Sequence, residues 1–111
     1  LYYDTGSGFS QECALATDVR MDGKAFLQTY KLPVAVTKLR YDPASVTPCL
    51  LQKFEVFIGG SSVDFRVLST NGTNVNKSWY FDGIDSQIEF LLEHPAKEIE
   101  IRGSVSELLD T

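Results

Sequence analysis

The sequence has few of the side chains that usually carry catalysis or hold metal ions. Its 111 residues include one histidine, one tryptophan, one methionine and two cysteines. One histidine and two distant cysteines cannot complete a four-ligand zinc set, so we predict no zinc site. Neither Gly-x-Ser-x-Gly nor Gly-x-Gly-x-x-Gly occurs, which leaves nucleophilic hydrolysis and dinucleotide binding without support. No cofactor is predicted.

Positive charge and long apolar runs are also scarce. Ten Lys and Arg residues stand against fifteen Asp and Glu residues, giving a net charge of -5. An acidic chain does not attract phosphate backbones, so nucleic acid is a poor partner. The longest apolar run falls far short of the roughly 18 residues that a membrane helix needs, which argues against membrane insertion.

The apolar content is sufficient for one packed core. With 43% hydrophobic residues, residues 1–111 are expected to form one domain. The chain opens on Leu1 without a methionine, which indicates a piece excised from a longer protein. Cys13 and Cys49 could form a disulfide, but two small core residues are the favoured interpretation.

Alternation of apolar and polar residues predicts strands. One predicted hairpin joins Leu50–Ile58 to Val63–Val67 through Gly59-Gly60. A second joins Ile88–Leu92 to Ile99–Val105, with a break at His94-Pro95-Ala96 that leaves His94 in a solvated turn.

Weaker candidates complete an all-β pattern. These predicted strands are Leu15–Val19, Lys24–Tyr30, Val34–Tyr41 and Asn76–Phe81. They are separated by Asp22-Gly23, Leu32-Pro33, Asp42-Pro43 and an Asn-rich stretch. Only Ser10–Ala16 is compatible with a helical turn. The expected fold is an antiparallel two-sheet β-sandwich of jelly-roll or carbohydrate-binding-module type.

Two short motifs suggest specific chemistry. Asp4-Thr5-Gly6-Ser7 matches the active-site tetrapeptide of aspartic proteases, in which two aspartates share a proton. Only three residues precede Asp4, so the protease is a remote alternative, and a strand end followed by a glycine turn is favoured. Trp79 and Tyr80 form a candidate aromatic platform for a sugar, although large aromatic residues are more often core. Asp82 and Asp85 are weak calcium candidates, and solvated turn aspartates are the more common outcome.

A longer set of residues carries a resemblance to a known family. The segment Tyr2–Glu12, followed by Leu39-Arg40-Tyr41-Asp42-Pro43 and by Cys49 at the start of a strand, resembles an accessory β-sandwich module. Such modules accompany bacterial polysaccharide-synthesis glycosyltransferases and related methyltransferases. Phe81–Ile88 is similar to a later segment of the same module. Tyr41 stands where the family pattern has Phe, and Gln11 precedes Glu12, which displaces the acidic position by one residue.

The resemblance implies a non-catalytic domain in the cytoplasm. Its partners would be a catalytic glycosyltransferase domain of the same chain and a glycan, with any membrane association supplied by the parent protein. The polar residues of the motif have two readings that the sequence leaves open. They either tie the N-terminal segment to the sheet or line a glycan-binding groove, and they are Asp4, Glu12, Arg40 and Asp42. A scaffold or oligomerisation domain without a ligand is the alternative.

Overall fold

The computed structural model describes residues 1–4, 16–43, 48–75, 78–82 and 86–107, which form an all-β, antiparallel structure. Its nine strands are β1 (Tyr2–Tyr3), β2 (Ala16–Asp22), β3 (Ala25–Tyr41), β4 (Cys49–Ile58), β5 (Ser61–Val63), β6 (Phe65–Thr70), β7 (Thr73–Val75), β8 (Ser78–Phe81) and β9 (Ile88–Glu107). The predicted helical turn lies outside the described residues except at Ala16, where β2 begins. Within the described ranges, no helix is long and apolar enough to cross a membrane.

Hydrogen bonds link all nine strands into one sheet. The main path runs β1-β3-β9-β4-β8-β7, with β2 on the first part of β3, β5 on β4, and β6 on the first part of β9. The all-β, antiparallel part of the expectation is therefore confirmed, whereas the division into two sheets is not. The sheet is also not closed into a ring.

β3 and β9 are the longest strands and pair along most of their length. Between the pairs Lys31–Glu98 and Val36–Ala96, β3 has four residues where β9 has one. Between Val36–Ala96 and Lys38–Leu91, β9 has four residues where β3 has one. Each bulge contains a proline, Pro33 or Pro95, because proline cannot donate to a ladder and is tolerated at bulges.

Two strand ends that the sequence predicts do not occur, because the strands continue through these bulges. The hairpin predicted between Ile88–Leu92 and Ile99–Val105 is wrong, because β9 continues through His94-Pro95-Ala96. The strands predicted at Lys24–Tyr30 and Val34–Tyr41 are present, but their separation is wrong, since β3 continues through Leu32-Pro33. The proline signals mark irregular pairing correctly, but at bulges within strands rather than at strand ends.

Two glycine turns are confirmed. Gly23 has φ of 60° in the two-residue turn between β2 and β3. Gly59 and Gly60 have φ of 61° and 82° between the paired residues Ile58 and Ser61. Positive φ at both central residues is the type I′ geometry, whose twist matches that of a hairpin.

The hairpin prediction is correct for β5 but not beyond it. β5 pairs with β4 as expected. The predicted continuation is wrong, because Phe65 and Val67 belong to β6 and face Leu92 and Phe90 of β9. The chain thus stops pairing with β4 at Asp64, and β6 pairs with β9 instead.

A bulge in β4 changes which residues face the core. The β4–β9 register shifts between Gln52 and Glu55, and Lys53 there has φ of 55°. The buried positions are Cys49 and Leu51 before the bulge, and Phe54 and Val56 after it. Leu50, expected in the apolar alternation, is therefore only half-buried, and Leu51 takes the core position.

Aromatic rings join distant parts of the bent sheet. The Phe54 ring on β4 lies with its centroid 5.4 Å from that of Phe65 and 5.8 Å from that of Phe90, both edge-on. Tyr41 lies 5.4 Å from Phe54 and 6.0 Å from Phe26. Offset and edge-on rings stabilise a core beyond their buried area. These contacts hold the first part of β9 over β4, with which it does not pair.

Candidate functional site

The first candidate site lies on one sheet face, where β1, the last part of β3, the first part of β9, and β6 run side by side. Tyr2 pairs with Arg40, Arg40 with Glu89, and Glu89 with Ser69. Directly opposed residues share one face of a sheet. This row therefore places an aromatic ring, a cation and a carboxylate next to one another.

Arg40 is held rigidly in this row. Its Nε donates to Asp42 Oδ1 at 3.0 Å, and its Nη2 donates to Asp42 Oδ2 at 3.2 Å. The guanidinium carbon lies 4.1 Å from the centre of the Tyr2 ring. The two charged side chains are only 21% and 26% exposed. A forked carboxylate pair and a ring contact together fix the guanidinium plane.

A second ion pair lies one row along the same face. The N–H of Asp4 donates to the Lys38 carbonyl at 3.1 Å, which extends the pairing of β1 with β3. Asp4 Oδ2 lies 3.8 Å from Lys38 Nζ. We call Tyr2, Asp4, Lys38, Arg40 and Asp42 the β1–β3 polar cluster.

The structure brings together three of the four residues named from the motif. Asp4, Arg40 and Asp42 all belong to the β1–β3 polar cluster, in which Arg40 forms an ion pair with Asp42. The fourth, Glu12, lies outside the described residues. Tyr2 and Glu89 were missed because their place beside Arg40 depends on strand register, whereas Lys38 lies two residues from Arg40 and alternation could have placed it on the same face. The aspartic protease hypothesis places the Asp4 side chains of two copies side by side, and it stays a prediction.

The aromatic strand β8 lies elsewhere in the sheet. Trp79 is half-buried and packs against the core, Phe81 is fully buried, and Tyr80 is 42% exposed. Trp79 and Tyr80 are adjacent in a strand, so their rings point to opposite faces. They do not form a shared platform, and Tyr80 is the more exposed of the two.

Neither calcium candidate is supported by a ligand cluster. Asp82 is exposed next to Phe81, and Asp85 lies outside the described residues. Among the residues that the structure describes, no group of three acidic, His or Cys side chains is placed to hold a metal ion. His94 is exposed within β9, so its predicted exposure is confirmed although it does not occupy a hairpin turn. Cys49 is fully buried, as expected of a core residue, and Cys13 lies outside the described residues.

No protein-family model, curated protein or solved structure matches this chain. The resemblance to a glycosyltransferase accessory module therefore rests on its motif residues alone.

A cleft of about 470 Å³ lies between the first and the last residues of β3. Phe26, Gln28 and Tyr41 are among the residues that line it. The hydroxyls of Tyr30 and Tyr41 both donate to Gln28 Oε1, at 2.7 and 3.0 Å. Burial raises the pKa of the Tyr41 hydroxyl well above its ordinary value, and the nearby Tyr30 adds to the effect. The Tyr41 hydroxyl therefore serves as a hydrogen-bond donor rather than as an acid near neutral pH.

A second cleft, of about 500 Å³, lies along the later part of β9. Arg102 lies there with its guanidinium carbon 4.0 Å from the centre of the Phe57 ring, and it donates to Glu100 Oε2 at 2.7 Å. The lining of this cleft also includes Lys97 and Glu98, so side chains of both charge signs border it. This cleft contains none of the residues named from the motif.

Proposed function

We propose that this chain is a non-catalytic accessory domain of a bacterial cell-surface polysaccharide glycosyltransferase, and that it binds the acceptor glycan through the β1–β3 polar cluster. The observation that carries the proposal is the Tyr2 ring stacked on an Arg40 guanidinium that Asp42 holds in place. Sugars combine hydroxyl groups with an apolar ring face. A surface with an aromatic ring, fixed donors and carboxylate acceptors offers a partner to each.

The shape of the site favours a chain rather than a small molecule. The row from Tyr2 to Ser69 crosses four adjacent strands, which lie about 4.8 Å apart. The face is therefore long enough to follow several sugar units. Its charged groups come in neighbouring pairs of opposite sign, which suits a neutral or mixed-charge polysaccharide.

We infer a sandwich of jelly-roll or carbohydrate-binding-module type, in which β3 and β9 bend at their bulges and contribute to both layers. The ring contacts of Phe54 with Phe65 and Phe90 support this arrangement, since they join strands that do not pair there. The β1–β3 polar cluster would then occupy the outer face of one layer.

Binding of oligosaccharide fragments of bacterial surface polysaccharides tests the function. An array selects the ligand, and titration calorimetry measures its affinity for the chain and its variants. We expect Tyr2→Ala to weaken binding about tenfold, and Lys38→Gln to weaken it less. Arg40→Lys keeps the charge but loses the forked geometry, so it should also weaken binding.

Tyr80→Ala is the matched control, because it removes an exposed aromatic ring on β8. It should leave the affinity unchanged, and circular dichroism of each variant checks that the fold is intact. Loss of binding in Tyr80→Ala but not in Tyr2→Ala would move the site to β8. Absence of heat with every saccharide would contradict the glycan-binding function itself and favour a scaffold or oligomerisation role.

A further inference from the structure

The outer edge of β2 presents backbone groups that no described strand pairs with. Among the described strands β2 pairs with β3 alone, and a two-residue turn joins Asp22 to Ala25. The residues flanking such a turn form a hydrogen-bonded pair, and every second residue along the strand repeats it. The backbone groups of Asp18 and Arg20 therefore point toward β3, and those of Val19 and Met21 point outward.

The side chains of β2 separate by character as well. Val19 and Met21 oppose Gln28 and Phe26, and they are 52% and 63% exposed. On the opposite face, Arg20 Nε lies 3.3 Å from Asp18 Oδ2, with both groups open to solvent. An exposed edge with apolar residues on one face is a template for pairing with another strand.

We propose that two copies of this chain associate through antiparallel pairing of their β2 edges, centred on Val19. In this register Val19 faces Val19 of the second copy, and Met21 faces Thr17, which lies at the irregularity between Ala16 and Asp18. Asp18 then faces Arg20 on both sides of the centre. Val19, whose backbone groups point outward, then exchanges hydrogen bonds with its copy. Each Asp18 lies opposite an Arg20 of the second copy, so the facing charges are opposite in sign.

Neighbouring registers fit less well. Centring on Arg20 places Arg20 opposite itself and Asp18 opposite Asp22, and like charges directly opposite each other destabilise a sheet. Centring on Met21 places Val19 opposite Gly23, which is in the turn and has positive φ. Charge and backbone geometry together favour the register centred on Val19.

The contact is small, so the association should be weak. One short strand pair buries less than the roughly 800 Å² per partner that is typical of stable complexes. We expect a concentration-dependent equilibrium with a dissociation constant in the micromolar range or above. In the dimer, hydrogen exchange at the Val19 and Met21 amides should slow as protein concentration rises, because these amides become paired.

Sedimentation equilibrium of the 111-residue chain and charge variants at low salt tests the register. Arg20→Glu places a carboxylate opposite Asp18 of the second copy, and Asp18→Lys places an ammonium opposite Arg20. Each should raise the dissociation constant about tenfold. The double variant Asp18→Lys/Arg20→Glu restores opposite charges and should restore the original dissociation constant.

Asp22→Lys is the matched control, since it changes net charge as much as Asp18→Lys but faces an uncharged residue in the proposed register. It should leave the dissociation constant nearly unchanged. A dimer that Asp22→Lys weakens and Asp18→Lys does not would overturn the register centred on Val19. A chain that stays monomeric at millimolar concentration, or a dimer indifferent to all of these reversals, would overturn edge pairing altogether. None of these outcomes bears on glycan binding at the β1–β3 polar cluster.

Discussion

At the scale of single residues, Lys53 has the least favourable backbone of the described part of the chain. Its φ of 55° lies in the left-handed region, which costs a non-glycine residue about 1–2 kcal/mol. Replacing Lys53 with glycine removes this cost. The greater freedom of glycine in the unfolded chain offsets part of the resulting gain in stability. We therefore expect Lys53→Gly to raise the free energy of unfolding by about 1 kcal/mol, as measured by urea denaturation.

Glu55 provides the control for Lys53. It is also exposed on β4, but it lies in a regular pair with Arg102. Glu55→Gly should lower the free energy of unfolding by about 1 kcal/mol. Glycine loses more conformational entropy on folding than other residues, and a regular strand has no positive φ that would compensate. If Lys53→Gly lowers stability by a similar amount, the bulge does not strain Lys53.

At the scale of elements, the sequence identifies turns better than it identifies strand lengths. Gly59-Gly60 is recognisable because the turn requires positive φ from its own two residues. The continuity of β9 is not recognisable, because nothing local distinguishes His94-Pro95 in a bulge from His94-Pro95 in a hairpin turn. The facing strand decides between a bulge and a turn, because β3 has a complementary bulge at Pro33.

The change in which residues of β4 face the core has a similar cause. The apolar residues at Cys49, Leu51, Phe54 and Val56 break strict alternation, and a single bulged residue restores it. The sequence carries this signal, but Leu50 offers a competing alternation that is equally apolar. Only the pairing with β9 distinguishes the two.

Gly103 shows how closely two elements approach. A Cβ at Gly103 would lie 2.9 Å from Cζ of Phe26, its cross-strand partner on β3, and 3.3 Å from the Gln52 carbonyl oxygen on β4. We expect Gly103→Ala to lower the free energy of unfolding by about 1–3 kcal/mol, through overpacking between β3, β9 and β4.

A double-mutant cycle tests this origin for the Gly103 effect. Phe26→Leu shortens the side chain that the new methyl group meets. The double variant should therefore lose less stability than the sum of the two single variants, by at least about 0.5 kcal/mol. Additive losses would show that the Phe26 ring is not what Gly103 accommodates.

At the scale of the whole molecule, the candidate site was predictable only in part. Arg40 and Asp42 are two residues apart, and alternation alone places them on one face. Tyr2 and Glu89 come to Arg40 from the start of the chain and from β9. No local pattern contains that register, because it follows from how the two long strands bend and which neighbours they acquire.

The same packing makes stability depend on alkaline pH through Tyr41. Its ring lies between those of Phe26 and Phe54, so it connects β3 to β4 in the core. Burial raises its pKa in the folded chain above the unfolded value of about 10, and the nearby Tyr30 adds to this. The stability due to neutral Tyr41 is thus fully present below about pH 10. It is lost as pH rises further, because only the unfolded chain can release the proton readily.

We expect the free energy of unfolding to fall above about pH 10, with Tyr41 contributing up to about 1.4 kcal/mol per pH unit. Tyr41→Phe removes the ionisable group and keeps the ring, so urea denaturation across this pH range should show a shallower decline. Phe54→Leu is the control, since it weakens the same ring cluster but retains the hydroxyl. It should lower stability at every pH and leave the alkaline slope unchanged. An unchanged slope in Tyr41→Phe would assign the alkaline loss of stability to other groups.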